Sequence, residues 1–79
     1  MRQILRRAKL PVQRGSMDAE IVLCHLDHNT ITPWVTWQMN IEDGETYWGH
    51  YCQTLDEAER DFVSRCKRLN AVEQNNEAV

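Results

Sequence analysis

The cysteines and histidines of this 79-residue chain, the side chains readiest to bind zinc or to pair as nucleophile and base, are Cys24, Cys52, Cys66, His25, His28 and His50. The densest grouping is Cys24-His25-x-x-His28. Structural zinc normally shows a C-x-x-C knuckle, and catalytic zinc an H-E-x-x-H helix. Neither spacing occurs, so no metal and no cofactor is expected. Cys24 and Cys52 read as small apolar groups inside strands, and Cys66 as part of a buried helix stripe. Residues i and i+2 of a strand share a face, so His50 and Cys52 could be neighbours and act as base and nucleophile. No orienting third group or oxyanion-binding element accompanies them, and the expectation is a protein that is not an enzyme. Glu42, Asp43 and Glu45 gather at a turn, where water keeps carboxylates ordinary and unsuited to general-acid work.

Length allows one small domain whose few Trp, Leu and Phe side chains must supply most of the apolar burial. The net charge of -3 is unevenly spread. Residues 1–16 hold five Arg/Lys and no acid, whereas residues 17–79 hold four Arg/Lys against twelve acids, a formal charge of -8. Three widely spaced cysteines do not make a disulfide framework and point to a reducing cytoplasm. No apolar stretch is long enough to cross a membrane, and the basic start lacks the apolar run and cleavage site of a signal peptide.

Along the chain, residues 2–10 could form a short helix, too short to hold alone. Pro11 and Arg14-Gly15-Ser16 read as linker. Residues 1–16 are thus expected as a basic, partly flexible arm, with Met17 an alternative start. Residues 19–26 form an almost continuous apolar run, suited to a central strand or one covered on both faces. Residues 34–41 alternate: Val35, Trp37, Met39 and Ile41 form the expected core face under the helix, with Trp34, Thr36, Gln38 and Asn40 on the other. Asp43-Gly44 closes a hairpin with the strand 46–52. A two-residue turn sets Met39 opposite Trp48; a three-residue turn with a bulge sets Met39 opposite Tyr47, exchanging the faces of the second strand. From Thr54 to about Ala71, a capping box and a stripe of Leu55, Ala58, Phe62, Cys66 and Leu69 predict an amphipathic helix. The expected fold is α+β, a three-stranded antiparallel sheet packed on one C-terminal helix (β-β-β-α) over residues 17–72, with a disordered tail at 73–79.

More aromatic surface exists than one face of a small sheet needs. The open face, with Trp34, Thr36, Gln38, Asn40, Tyr47, Trp48 and Tyr51, is the expected partner-binding surface, taken by another protein or by a second copy in a homodimer. An acidic body could also imitate nucleic acid towards a basic partner. The stretch Trp48-Gly49-His50-Tyr51, followed by Thr54-Leu55-Asp56-Glu57-Ala58-Glu59-Arg60-Asp61-Phe62 and preceded by the WVTWQM strand, resembles the plant AP2-type DNA-binding domain and its integrase-arm relatives. The resemblance covers about 40 residues. It implies three strands backed by a helix, with the open sheet face reading the major groove. The arginines that the family uses there are missing. DNA binding is therefore the alternative, resting on Arg2, Arg6, Arg7, Lys9 and Arg14 to neutralise phosphates. In its compact style the chain also resembles small accessory proteins of phages and mobile elements.

Overall fold

In the computed structural model, which describes residues 2–11 and 18–74, five strands and one helix follow one another. They are β1 (Arg2–Lys9), β2 (Ala19–Leu26), β3 (Trp34–Asn40), β4 (Thr46–Cys52), α1 (Leu55–Leu69) and β5 (Val72–Glu73). All paired strands are antiparallel, in the order β4-β3-β2-β1-β5. The α+β class and its single helix stand, but the expected three-stranded sheet is corrected to five strands. Arg2–Lys9, expected as part of a flexible basic segment, is a full strand against β2, and Val72–Glu73 pairs outside it with Lys9 and Ala8. Of the tail expected to be disordered over 73–79, Glu73 pairs with Ala8 and the Gln74 N–H bonds the Arg7 carbonyl at 2.9 Å, while 75–79, like the linker Arg14-Gly15-Ser16 and Met17, lie outside the described residues.

The reason for the extra strand lies in β2. Ile21, Val22, Leu23 and Cys24 are fully buried while pointing alternately to both faces. Backbone groups flanked by such side chains need partners along both edges. β3 supplies one edge, and Arg2–Lys9 supplies the other against its own weak strand propensity. A bulge at Leu5, between the pairs Ile4–Cys24 and Arg6–Leu23, lets β1 serve both faces. Ile4 joins one apolar cluster and Ala8 the other.

Helix α1 covers the face where Phe62 and Ala58 meet Ile21, Leu23, Ala8 and Cys52. Trp34 and Cys66 pack at its margin. This corrects the expected orientation of β3: Trp34 and Thr36 look towards the helix, whereas Val35, Trp37 and Met39 look away from it. Ile41 lies in the hairpin loop and is exposed. The odd face does without a helix because the sheet coils over it. Arg2 sets its guanidinium 6.0 Å from the centre of the Trp37 ring and donates to the Gly44 carbonyl at 3.3 Å. Arg2 and Gly44 belong to diagonally opposite corners of the sheet, which meet over the central Trp37 only when twist and coiling bring them together.

Thr54 caps α1 by accepting from the Glu57 N–H at 3.2 Å. The Glu57 carboxylate reaches back to the Gln53 N–H at 3.1 Å, one residue earlier than a capping box requires. At the other end Asn70 adopts a left-handed conformation, φ 59, and the Ala71 N–H bonds the Cys66 carbonyl at 2.9 Å. That reversal lays β5 along β1. Arg6 fastens it, donating to both Glu73 oxygens at 2.8 and 2.6 Å with its guanidinium 4.8 Å from the Phe62 ring centre.

The Arg6 hydrogen bonds hold the Glu73 carboxyl below its ordinary value of 4.5. A carboxyl lowered by folding adds stability above its unfolded pKa and loses it as pH falls through the folded one. Glu73→Gln should therefore melt below the wild type at pH 7, and the gap should close as pH drops below 4.5. Because the pair is partly exposed, the loss at pH 7 should stay under about 1 kcal/mol. Thermal unfolding of both proteins across that range checks it.

Candidate interaction site on strand β4

The hairpin adopts neither of the two expected registers. Asn40 N–H donates to the Glu45 carbonyl and Gly44 N–H to the Asn40 carbonyl, both at 2.9 Å, leaving a four-residue loop of Ile41 to Gly44. Gly44 takes the left-handed conformation, φ 73, that a side chain would resist. Met39 consequently faces Thr46. Gln38 pairs with Tyr47 but Thr36 with His50, so Trp48 and Gly49 both stand opposite Trp37. This bulge sends Tyr47 and Tyr51 to opposite faces of the sheet.

Two details show how tightly the bulge is built. A Cβ on Gly49 would lie 2.4 Å from Trp37 Nε1, so only glycine lets the indole settle against the strand. Trp48 adopts φ 53, a left-handed backbone that costs a non-glycine residue about 1–2 kcal/mol. The strain is opposed from beneath: the buried Arg65 guanidinium donates through Nη2 to the Trp48 carbonyl.

Arg65 is the head of a polar chain running under the helix. Its Nη1 donates to Thr36 Oγ1 at 3.1 Å, and that hydroxyl donates to Asp61 Oδ2. His50 Nδ1 lies 3.0 Å from each Asp61 oxygen and, because a carboxylate only accepts, it is the donor. The Asp61 carboxylate is thus the point where donors converge, the Thr36 hydroxyl from the Arg65 side and the imidazole from the surface side. Burial pushes the Arg65 guanidinium down and Asp61 partly restores it. Arg65 Nε is a buried polar atom with no hydrogen-bond partner among the described residues.

The expected partner surface divides at the bulge. Trp48 is exposed at 69% with Tyr47 beside it at 39%, while Tyr51, exposed at 52%, stands on the opposite face against Trp37. The β3 set is placed differently. Thr36 is fully buried in the polar chain, and Trp34 is half-buried, its ring 4.5 Å from that of His25. Gln38 and Asn40 are half-buried on the same side of β3. Among the basic residues, Arg6 is held by Glu73 and Arg2 by Gly44 and Trp37. Arg7 donates twice to the buried Glu20, at 3.0 and 2.6 Å. Lys9 is exposed, and Arg14 lies outside the described residues.

The candidate ligand clusters are separated by strand alternation. Cys24 belongs to the cluster away from the helix, His25 packs at a tilt against Trp34, and His28 sits in an exposed turn. No group of three or more His, Cys, Asp or Glu side chains among the described residues could hold a metal ion. Cys52 donates its thiol to the His50 carbonyl at 3.7 Å, while the His50 ring turns to Asp61. Burial raises all three thiols, Cys24 to about 11.

No protein-family model, curated protein or solved structure matches this chain. The AP2-type resemblance thus rests on its own residues. Arg65 and Asp61, the supports of the site, escaped the sequence reading. Arg65 stands three residues after Phe62 and seven after Ala58, so it falls on the buried stripe, and Asp61 precedes it by one turn. A charged residue on an apolar stripe was the available signal.

Trp48→Gly removes an exposed ring and the backbone strain together. It should fold with a stability within about 1 kcal/mol of the wild type or above it. Arg65→Met fills similar space but leaves the Trp48 carbonyl and Thr36 without their donor, and should cost about 1–3 kcal/mol. Chemical denaturation of the two variants checks both; a large loss in Trp48→Gly contradicts the strain argument.

Proposed function

We propose that this protein is a non-enzymatic interaction module, working as an adaptor or inhibitor, which grips a partner protein along the β4 edge through Tyr47 and Trp48, with Tyr51 flanking them on the other face. One observation carries the reading: Trp48 is exposed on a strained backbone that a buried arginine holds in place. Strained residues persist where the surroundings over-determine them, and they cluster at functional positions. Tryptophan and tyrosine also dominate the energetics of protein contacts, since they bring large rigid surfaces at little entropic cost. A backbone carbonyl fixed by Arg65 fixes the direction in which the Trp48 side chain leaves the strand.

The occupied state of Arg2, Arg6 and Arg7 favours a protein partner over DNA. Their charges are engaged within the fold, and phosphate binding depends on cations that can leave their partners. The free cysteines, with raised thiols, support action in a reducing cytoplasm.

Affinity capture from the native host, run in parallel with wild type and Trp48→Gly, tests the proposal. The expected result is a near-stoichiometric partner retained by the wild type and lost from the variant, whose melting curve shows that it is folded. Equal retention by both proteins rejects the β4 surface. Sedimentation of the purified chain identifies the case in which the partner is a second copy.

A further inference from the structure

Between Gly15 and Glu59 the chain contains no lysine or arginine and nine acidic residues. Strands β2, β3 and β4, with the loops joining them, therefore carry charge of one sign only. Three of those acids, Glu42, Asp43 and Glu45, are exposed at the hairpin tip. The tip adjoins the aromatic pair directly. The Tyr47 hydroxyl donates to Glu45 Oε1 at 2.9 Å, and the Tyr47 and Trp48 rings are 5.9 Å apart at 48° to one another. Arg2 meets the tip from the concave side, through the Gly44 carbonyl, with its guanidinium over Trp37. One cation thus stands against three carboxylates, and the excess at the tip is negative.

The geometry points to a basic segment of the partner protein as the occupant of this surface. Arg or Lys side chains lie against the faces of Tyr47 and Trp48, where the ring quadrupole attracts a cation. Glu42, Asp43 and Glu45 neutralise the charge beside the rings. The inference rests on the reading of β4 as the contact surface and adds the chemistry of what it selects.

The mode of contact follows from the bulge. An edge strand usually recruits a partner by adding a strand to its free backbone groups. Here the Trp48 carbonyl is taken by Arg65 and the bulge breaks the regular ladder at mid-strand. Recognition therefore proceeds through side chains. Carboxylates around aromatic faces reward guanidinium and ammonium groups and repel acidic segments, which gives discrimination as well as attraction.

The test uses the full chain and two synthetic peptides, one alternating arginine with alanine and the other alternating glutamate with alanine. Binding is measured by calorimetry at low and physiological salt. The arginine peptide should bind, weaken about tenfold or more as salt screens the contact, and leave the glutamate peptide unbound. Trp48→Gly should lower its affinity about tenfold or more, and so should the triple variant Glu42→Gln, Asp43→Asn, Glu45→Gln. These acids are exposed, so the triple variant is expected to fold normally, and its melting curve verifies that. Equal affinity in the triple variant, absence of binding at low salt, or a preference for duplex DNA overturns the inference. A host partner lost from Trp48→Gly but kept by the triple variant overturns only the basic segment and leaves the β4 contact surface standing. A host partner kept by both variants rejects the contact surface itself.

Discussion

Ile21, Val22, Leu23 and Cys24 have no solvent exposure on either side of β2, and a strand of that kind dictates what must surround it. Each large side chain contributes roughly 2 kcal/mol only while water is excluded from it. Two faces and two edges therefore all need cover. Helix α1 protects the face of Ile21 and Leu23, and the coiled sheet protects that of Val22 and Cys24. β3 and β1 take the edges. Much of the rest is a consequence: the short β5, the clamp of Arg6 on Glu73, and the closure of Arg2 over Trp37. With the apolar side chains spent on this double cover, β4 is left at the margin with aromatics that the interior does not use.

What sets β4 apart from a merely leftover edge is the polar chain beneath it. A buried guanidinium is costly unless its donors find acceptors and its charge finds a counterpart. Arg65 meets the first need at Nη1 and Nη2, with Thr36 and the Trp48 carbonyl, though not at Nε, and the second with Asp61 reached through the Thr36 hydroxyl. The chain then ends at His50 on the surface. Backbone direction at Trp48 and side-chain position at His50 are consequently coupled to one buried cation. Such a scaffold presents its exposed ring in a fixed direction, which lowers the entropy lost when a partner binds.

Much of the fold could be read from local pattern. The capping residue Thr54, the apolar stripe of α1, the apolar run of β2 and the turn at Asp43-Gly44 each act over a few residues and so leave a mark in the sequence. The missing parts depend on contacts between distant residues. Arg2–Lys9 has the charge pattern of a solvated arm and becomes a strand only because β2 needs an edge partner. Alternation in β3 separates Trp34 and Thr36 from Val35 and Trp37 correctly, but it does not say which set the helix takes. Local pattern offers a tight turn or a bulge at the turn itself, whereas Gly49 under the Trp37 ring and Arg65 on the Trp48 carbonyl place the bulge at mid-strand. A surplus of exposed aromatics on the hairpin is within reach of the sequence, but which of them stay outside is not; nor is the arginine that organises them, since a charge on an apolar helix face reads first as a fault in the stripe.

The pairing of β5 with β1 also bears on the order in which the fold can assemble. The hairpin of β3 and β4 and the neighbouring β2 join residues close in sequence, whereas Arg6 and Glu73 are separated by 67 positions. Closing a loop of that span costs roughly 4 kcal/mol of chain entropy before any contact repays it. The outer edge is therefore a late event, slow relative to the local hairpin and dependent on α1 having already turned the chain back at Asn70. Until then the outer edge of β1 at Ala8 and Lys9 stands unpaired, and a free strand edge of that kind is where an incompletely folded sheet is most open to aggregation.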